Sequence, residues 1–231
     1  MKTIGLIGGM SWESSLKYYQ IINETVGAKL GGFHSAKSIL YSVDFAEIER
    51  FQRQDRWEEA GQMLAEAAKS LEKGGADFIV ICANTMHKVA DDIQARIRIP
   101  ILHVVDATAQ RVKDAGIRKA GLLGTRFTME EDFYINRLSQ KHGLQILVPD
   151  PQGRELVHRV IFDELVFGKI RRSSREKYLA VMAQLVGQGA EGIILGCTEI
   201  GLLVRPQDCQ IPLFDTTRIH AEAAVEFALK D

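Results

Sequence analysis

The sequence repeats itself, and a repeat at near-constant spacing restricts a chain to folds built from two copies of one unit. Three pairs of segments match in the same order. Ile4-Gly5-Leu6-Ile7-Gly8 resembles Ala120-Gly121-Leu122-Leu123-Gly124, with Gly5 and Gly121 116 residues apart. Gly75-Ala76-Asp77-Phe78-Ile79-Val80-Ile81 resembles Gly189-Ala190-Glu191-Gly192-Ile193-Ile194-Leu195, with Ala76 and Ala190 114 apart. Ile99-Pro100-Ile101-Leu102, running into Asp106-Ala107-Thr108, resembles Ile211-Pro212-Leu213-Phe214, running into Asp215-Thr216-Thr217, with Ile99 and Ile211 112 apart. Ordered pairs at a near-constant offset favour two copies of one α/β unit; the alternative is that buried strands of any α/β protein are apolar and look alike.

The repeated unit reads as α/β. Short apolar runs predict strands at Thr3–Ile7, Ser38–Val43, Asp77–Ile81, Ile101–Val105, Ala120–Leu123, Gln145–Val148, Gly192–Leu195 and Leu213–Phe214. Stretches of helical period predict helices over Ser14–Val26, Trp57–Lys73, Thr85–Arg96, Ala107–Ala115, Met129–His142, Leu156–Val166, Ser174–Gln188 and Thr217–Leu229. Strands alternating with helices make mainly parallel sheets. The expected architecture is two similar α/β lobes related by a pseudo-twofold, one of residues 1–98 plus 211–231 and the other of residues 99–210. Open α/β sheets bind ligands beyond the carboxyl ends of their strands. The active site is therefore expected between the lobes, with walls from Gly8–Ser11, Cys82–Thr85, Gly124–Thr128 and Gly196–Glu199.

Composition narrows the partners. With 29 Lys and Arg against 30 Asp and Glu the formal charge is −1, so the chain lacks the basic field that nonspecific nucleic-acid binding needs. Ile4–Ile7, cut by Gly8-Gly9, is too short for a signal-peptide core or a spanning helix, so no membrane partner and a cytoplasmic location are expected. Cys82, Cys197 and Cys209 are odd in number and lack CxxC spacing; they suggest neither a disulfide framework nor a zinc site. His34, His87, His103, His142, His158 and His220 show no metal-ligand spacing either.

In register with the repeat, Ala83 corresponds to Cys197, Asn84 to Thr198 and Thr85 to Glu199. A cysteine at a strand end before a helix meets unpaired backbone N–H groups and the positive end of the helix dipole, which favour thiolate. The alternative for Cys197 is a small buried hydrophobe. Backbone N–H groups near Ser11, Asn84 and Thr198 can hold a carboxylate. Asn84, Thr85, Thr125, Thr128 and Thr198 add short donors, or serve as helix caps. The basic run Lys169-Ile170-Arg171-Arg172, with Arg175 and Lys177, reads first as a solvated helix end and second as a cation for a distal carboxylate.

Gly8-Gly9-Met10-Ser11-Trp12-Glu13-Ser14, Cys82-Ala83-Asn84-Thr85-Met86-His87-Lys88, Leu123-Gly124-Thr125-Arg126-Phe127-Thr128-Met129 and Leu195-Gly196-Cys197-Thr198-Glu199-Ile200-Gly201 together resemble the aspartate/glutamate racemase family, in particular its enterobacterial amino-acid racemase branch. The resemblance covers essentially the whole chain. It implies a racemase without pyridoxal phosphate, metal or other cofactor, a small amino-acid substrate and a homodimer. It implies a substrate pocket of Met10, Gln52, Asn84, Thr85, Thr125, Thr128, Thr198 and Glu199, with Gln52 recognising the substrate's side chain. Such racemases work with two cysteines, one removing the α-proton and the other returning one from the opposite face, because inversion needs both faces.

Here the chain departs from the family. Its second cysteine is Cys197, which the resemblance turns toward the L-amino acid, but the first position holds Ala83. Cys82 is adjacent, yet neighbouring strand residues point to opposite faces, so Cys82 is expected in the core. Reprotonation on the Ala83 side is left to water or a hydroxyl, with Thr85 nearest in sequence. Two further readings stand beside an asymmetric racemase of glutamate, aspartate or a similar small polar amino acid. One is a cofactor-free decarboxylase of a substituted malonate, its carbanion protonated by a single thiol. The other is a non-catalytic protein that binds an amino acid.

Overall fold

The computed structural model describes residues 1–230. The described chain divides into two compact units, Met1–Val104 with the C-terminal segment from His220 onward, and Val105–Ile219.

In the first unit β1 (Ile4–Gly8), α1 (Trp12–Leu30), β2 (Ser38–Ser42), α2 (Phe45–Arg53), α3 (Trp57–Lys73), β3 (Phe78–Ile81), a 3-10 turn (Thr85–Val89), α4 (Ala90–Gln94) and β4 (Ile101–Leu102) follow in order. The four strands form one parallel sheet, β2-β1-β3-β4. Successive side chains on a strand alternate faces, and the core divides accordingly. Ile7, Ile79 and Ile81 pack with Leu64, Ala68 and Leu71 of α3. Ile4, Leu6, Phe78, Val80 and Cys82 pack on the other face with Tyr18, Ile21 and Ile22 of α1 and Ala221, Ala224 and Val225 near the C-terminus.

The second unit begins within α5 (Val104–Asp114) and continues through β5 (Lys119–Gly124), α6 (Arg126–Glu130), α7 (Asp132–Asn136), a π turn (Arg137–Lys141), β6 (Gln145–Leu147), α8 (Pro151–Asp163), α9 (Arg172–Gly187), β7 (Gly192–Gly196), α10 (Ile200–Leu203) and β8 (Leu213–Asp215) into α11 (Thr216–Leu229). Its sheet is again parallel, β6-β5-β7-β8. This is the strand order of the first sheet, as the repeat implies. Gly5 and Gly121 match in role: a Cβ on the first would sit 2.9 Å from Ile79, and one on the second 2.6 Å from Ile193. Burial opposes ionisation of Asp106, but hydrogen bonds from Arg137, Lys141 and His142 overcome it and hold the carboxyl far below its usual range.

All eight predicted strands form, with ends shifted by a residue or more; the run at Ile101–Val105 pairs only through Leu102 because α5 already begins at Val104. The boundaries of the units correct the expected lobes. Residues 99–104 stay with the first unit because β4 pairs with β3, and residues 211–219 with the second because β8 pairs with β7. The single helix expected over residues 85–96 is a 3-10 turn followed by α4, and the one over 129–142 is broken into α6, α7 and the π turn. Helix α8 starts earlier than its apolar period suggests, because Asp150 caps it by accepting from Gly153 N–H at 2.7 Å and Pro151 occupies its first turn. No helix of the described residues is long and apolar enough to cross a membrane.

Candidate active site

The residues singled out by sequence gather at strand ends, one group in each unit. In the second unit β7 leads through Gly196 into Cys197-Thr198-Glu199 and then α10. The neighbouring strand β5 leads into Thr125, which caps α6 by accepting from Thr128 N–H at 3.3 Å, with the two threonine hydroxyls 3.2 Å apart. The two strand ends touch: a Cβ on Gly196 would lie 3.2 Å from Thr128 Cγ2, and one on Gly124 3.0 Å from the Gly196 carbonyl oxygen. Glycine is required there for close approach of backbone and side chain.

Cys197 and Glu199 are both buried. The thiol donates to Glu199 Oε2 at 3.0 Å, and the Thr198 hydroxyl donates to the same oxygen at 2.6 Å. Burial pushes the thiol well above its ordinary pKa, and the Glu199 carboxylate pushes it further by charge and by accepting its proton. Backbone N–H groups of Glu199 and Thr198 act in the opposite direction. These are the loop donors that the sequence argument relied on to favour thiolate, and they lose. Helix α10 has only four residues, too few for a strong dipole. The resting group is therefore a protonated thiol hydrogen-bonded to a carboxylate.

Two tyrosines complete this neighbourhood. Tyr134 of α7 and Tyr178 of α9 are fully buried, and burial raises both phenols. The Tyr178 hydroxyl donates to the Val157 carbonyl at 2.8 Å. Neither was singled out in the sequence, where they are isolated aromatics on two of the predicted helices.

In the first unit the chain turns after β1 at Gly9, whose φ is +91° and where a Cβ would collide with the Val43 backbone. Ser11 then caps α1, accepting from Ser14 N–H. Met10, Ala83 and Met86 belong to one core cluster with Phe51. Gln52 is a buried residue of α2 whose amide donates to Met86 Sδ at 3.0 Å. Asn84 and Thr85 are buried at the head of the 3-10 turn. Cys82 lies in the core on the opposite face, fully buried, with its thiol pushed far up by burial.

His87 anchors the segment. Its Nδ1 is 2.8 Å from the Ala83 carbonyl and its Nε2 accepts from Val104 N–H at 3.2 Å, which fixes a neutral imidazole protonated on Nδ1. His103 packs tilted against its ring and His220 edge-on, with ring centroids 4.5 and 5.7 Å away. His220 bonds Leu102 O through Nε2 and Tyr18 O–H through Nδ1. Burial holds His87 well below the ordinary histidine pKa, helped by the other two rings, and lowers His220 to about 4. Both folded-state values lie below that of the unfolded chain, so this stability is full above about pH 6.5 and is lost as the pH falls. From His220 alone the loss expected by pH 4 is about 3 kcal/mol. Asp106 titrates only below that window. Denaturant unfolding at pH 7, 5.5 and 4.5 should show a falling midpoint, with a shallower fall in His220→Gln; parallel curves for the two proteins would contradict the assignment.

The basic run is engaged locally. Arg171 pairs with Glu164, Arg172 with Glu176 and Arg175 with Asp208. A surface groove of about 540 Å³ along α8 and α9, lined by Glu155, Arg159, Asp163, Ser174 and Lys177 among others, contains none of the residues at the strand ends. Among the described residues no group of three or more His, Cys, Asp or Glu is placed to hold a metal ion.

The Asp/Glu/Hydantoin racemase family profile matches residues 7–224. A solved structure from Yersinia pestis, a candidate Asp/Glu racemase, is 56% identical with a TM-score of 0.94, and each chain is covered completely. An aspartate racemase homologue from Pyrococcus horikoshii is 38% identical with a TM-score of 0.86, again over 100% of both chains. The broad specificity amino-acid racemase RacX of Bacillus subtilis is 26% identical over 175 residues, covering 73% of this chain and 72% of RacX.

Proposed function

Because the chain belongs to the Asp/Glu/Hydantoin racemase family, we propose that it inverts the α-carbon of a small polar amino acid, glutamate or aspartate first among them, in the cytoplasm and without pyridoxal phosphate. The observation that carries the mechanism is the hydrogen bond from Cys197 Sγ to Glu199 Oε2. A thiol held up by burial and a carboxylate is a poor base alone, but its proton has somewhere to go. Glu199 takes it, the thiolate removes the α-proton of the L-enantiomer, and the electron pair of the broken C–H bond moves into the substrate carboxylate. Thr198 holds the receiving oxygen in place from its other side. The first unit has no matching thiol: Ala83 stands at the equivalent strand end, and Cys82 is turned into the core. Water, or the Thr85 hydroxyl, returns the proton to the other face. In the first unit Gln52, Asn84 and Thr85 are the substrate contacts, with Met10 as an apolar wall; in the second, Thr125, Thr128 and Thr198 supply donors.

The protonated state of Cys197 also suits the second reading, in which a lone thiol protonates the carbanion left by decarboxylation of a substituted malonate. Chiral chromatography of reactions with a panel of L- and D-amino acids, run beside CO2 release from substituted malonates, separates the readings. Inversion of an acidic amino acid is the expected result. Inversion of none, with CO2 released, transfers the site to the decarboxylase reading; thermal stabilisation by an amino acid without turnover marks a binding protein.

The role of Glu199 has its own readout. Glu199→Gln removes the negative charge that raises the thiol, so the pH midpoint of Cys197 alkylation by iodoacetamide, followed by mass spectrometry, should move down. A midpoint that stays or rises would remove Glu199 from the mechanism.

A further inference from the structure

The segment that carries Ala83, Asn84 and Thr85 has little regular structure of its own. It leads from β3 into a 3-10 turn of five residues with no side-chain cap, and α4 behind it also has five residues and no side-chain cap. Short 3-10 turns make poorer hydrogen bonds than an α-helix, and helix ends leave backbone groups to be satisfied from elsewhere. The Ser14 hydroxyl reaches Cys82 O only at 3.4 Å. A shorter bond comes from within the turn, where the buried His87 ring folds back and donates from Nδ1 to Ala83 O at 2.8 Å. Its Nε2 accepts from the N–H of Val104, the first residue of α5, at 3.2 Å. One imidazole thus ties the exit of β3 to the exit of β4, and every member of the tie belongs to the first unit. The β4 exit is itself held, because His220 donates from Nε2 to Leu102 O at 2.8 Å.

The repeat shows that this hold is not shared by the two units. With Thr85 opposite Glu199, His87 falls opposite Gly201, where even a Cβ would lie 3.0 Å from Asp215 Oδ2. The second unit fixes its segment through Glu199, bonded to Cys197 and Thr198. In the first unit Ala83 offers only a methyl group, so what that wall presents to a substrate is Asn84 and Thr85. The Ala83 carbonyl belongs to the planar peptide that joins Ala83 to Asn84, and holding its oxygen fixes the direction in which Asn84 begins. We propose that His87 is a positioning residue whose Nδ1–H, through the Ala83 carbonyl, places Asn84 and Thr85 on the side where the proton returns, a role that rests on the racemase reading.

Two neutral variants separate the two bonds of the ring. An asparagine amide nitrogen sits near the Nδ1 position and can keep the bond to Ala83 O, whereas a glutamine amide reaches the Nε2 position and can keep the bond from Val104 N–H. Positioning predicts that His87→Gln lowers kcat/KM for inversion about tenfold more than His87→Asn does. It also predicts that in His87→Gln inversion of the L-enantiomer falls more than exchange of its α-hydrogen for deuterium, because Cys197 still removes the proton. A side chain that only stabilises the fold predicts otherwise. His87→Asn would then be the worse variant, since it strands the buried Val104 N–H, a costlier loss than a carbonyl short of one donor, and exchange and inversion would fall together. Equal kcat/KM in the two folded variants, a larger loss in His87→Asn, or parallel falls in exchange and inversion would each overturn the proposal. The ring itself is read without turnover: nitrogen-15 spectra of the histidine side chains, with His87 identified by the signal both variants lose, should show the neutral Nδ1–H tautomer at pH 7. An Nε2–H tautomer or an imidazolium there would also overturn it. An unmodified enzyme that inverts no amino acid sinks the racemase reading and this role with it; an active enzyme whose two variants do not differ sinks this role alone.

Discussion

Cys197→Ala is expected to lower α-proton removal from the L-enantiomer by roughly 10²–10⁴-fold, the usual worth of a placed acid–base group, with little change in KM. Nothing else at the second unit's strand ends can take over. Thr198 and Thr128 carry hydroxyls of far higher pKa, and the raised phenols of Tyr134 and Tyr178 do not ionise in the working range. Glu199 is the one other base there, and in the variant its oxygen still accepts from the Thr198 hydroxyl. The substitution deletes a single buried sulfur, so the fold should survive with a loss of stability of a few kcal/mol at most. Initial rates measured by nuclear magnetic resonance on the α-hydrogen signal give the comparison. A variant retaining a tenth or more of the native rate would mean that another group removes the proton.

The opposite change at the equivalent position should have the opposite sign. Ala83→Cys supplies a thiol at the strand end where the family's pattern has one, and the expected gain in reversible inversion is on the order of 10²-fold. Ala83 is buried among Met10, Phe51 and Met86, so an added sulfur also costs about 1–3 kcal/mol of stability from overpacking. Higher activity accompanied by a lower melting temperature is the predicted combination. Unchanged inversion in a folded variant would show that position 83 does not reach the reacting carbon. His87 already holds the Ala83 carbonyl, which leaves the new side chain little freedom to swing elsewhere.

The limits of directional bias follow from thermodynamics. Enantiomers have equal free energy, so kcat/KM for inversion must be equal in the two directions whatever the enzyme's residues. A one-thiol enzyme therefore shows its asymmetry in kcat and KM taken separately, and in exchange of the α-hydrogen without inversion.

Much of this architecture was legible because it rests on period and repetition. Gly5 and Gly121, the paired Ile-Pro segments and the alternation of apolar runs with helices foretold eight strands in two sheets of the same order. Strand alternation placed Cys82 in the core, and the repeat aligned Ala83 with Cys197. Tertiary terms decided what was missed. The lobe boundaries depended on which strand β4 and β8 pair with, which local patterns do not encode. Helix α2 has a strong apolar face but only nine residues, too short to stand out, and with it went the burial of Gln52. The expected thiolate became a thiol because burial and the Glu199 carboxylate outweigh the loop N–H groups. Those terms depend on where a side chain two residues away folds back, which spacing alone does not specify.

The central claim is that one face of the substrate meets a thiol and the other does not. Incubation of each enantiomer separately in heavy water, with deuterium in the recovered substrate and in its mirror image counted over time, tests it most directly. The predicted result is that deuterium enters the L pool faster than L is inverted, while exchange into the D pool never outruns inversion, and that Ala83→Cys removes the difference. Equal exchange without inversion from both enantiomers in the unmodified enzyme would contradict it.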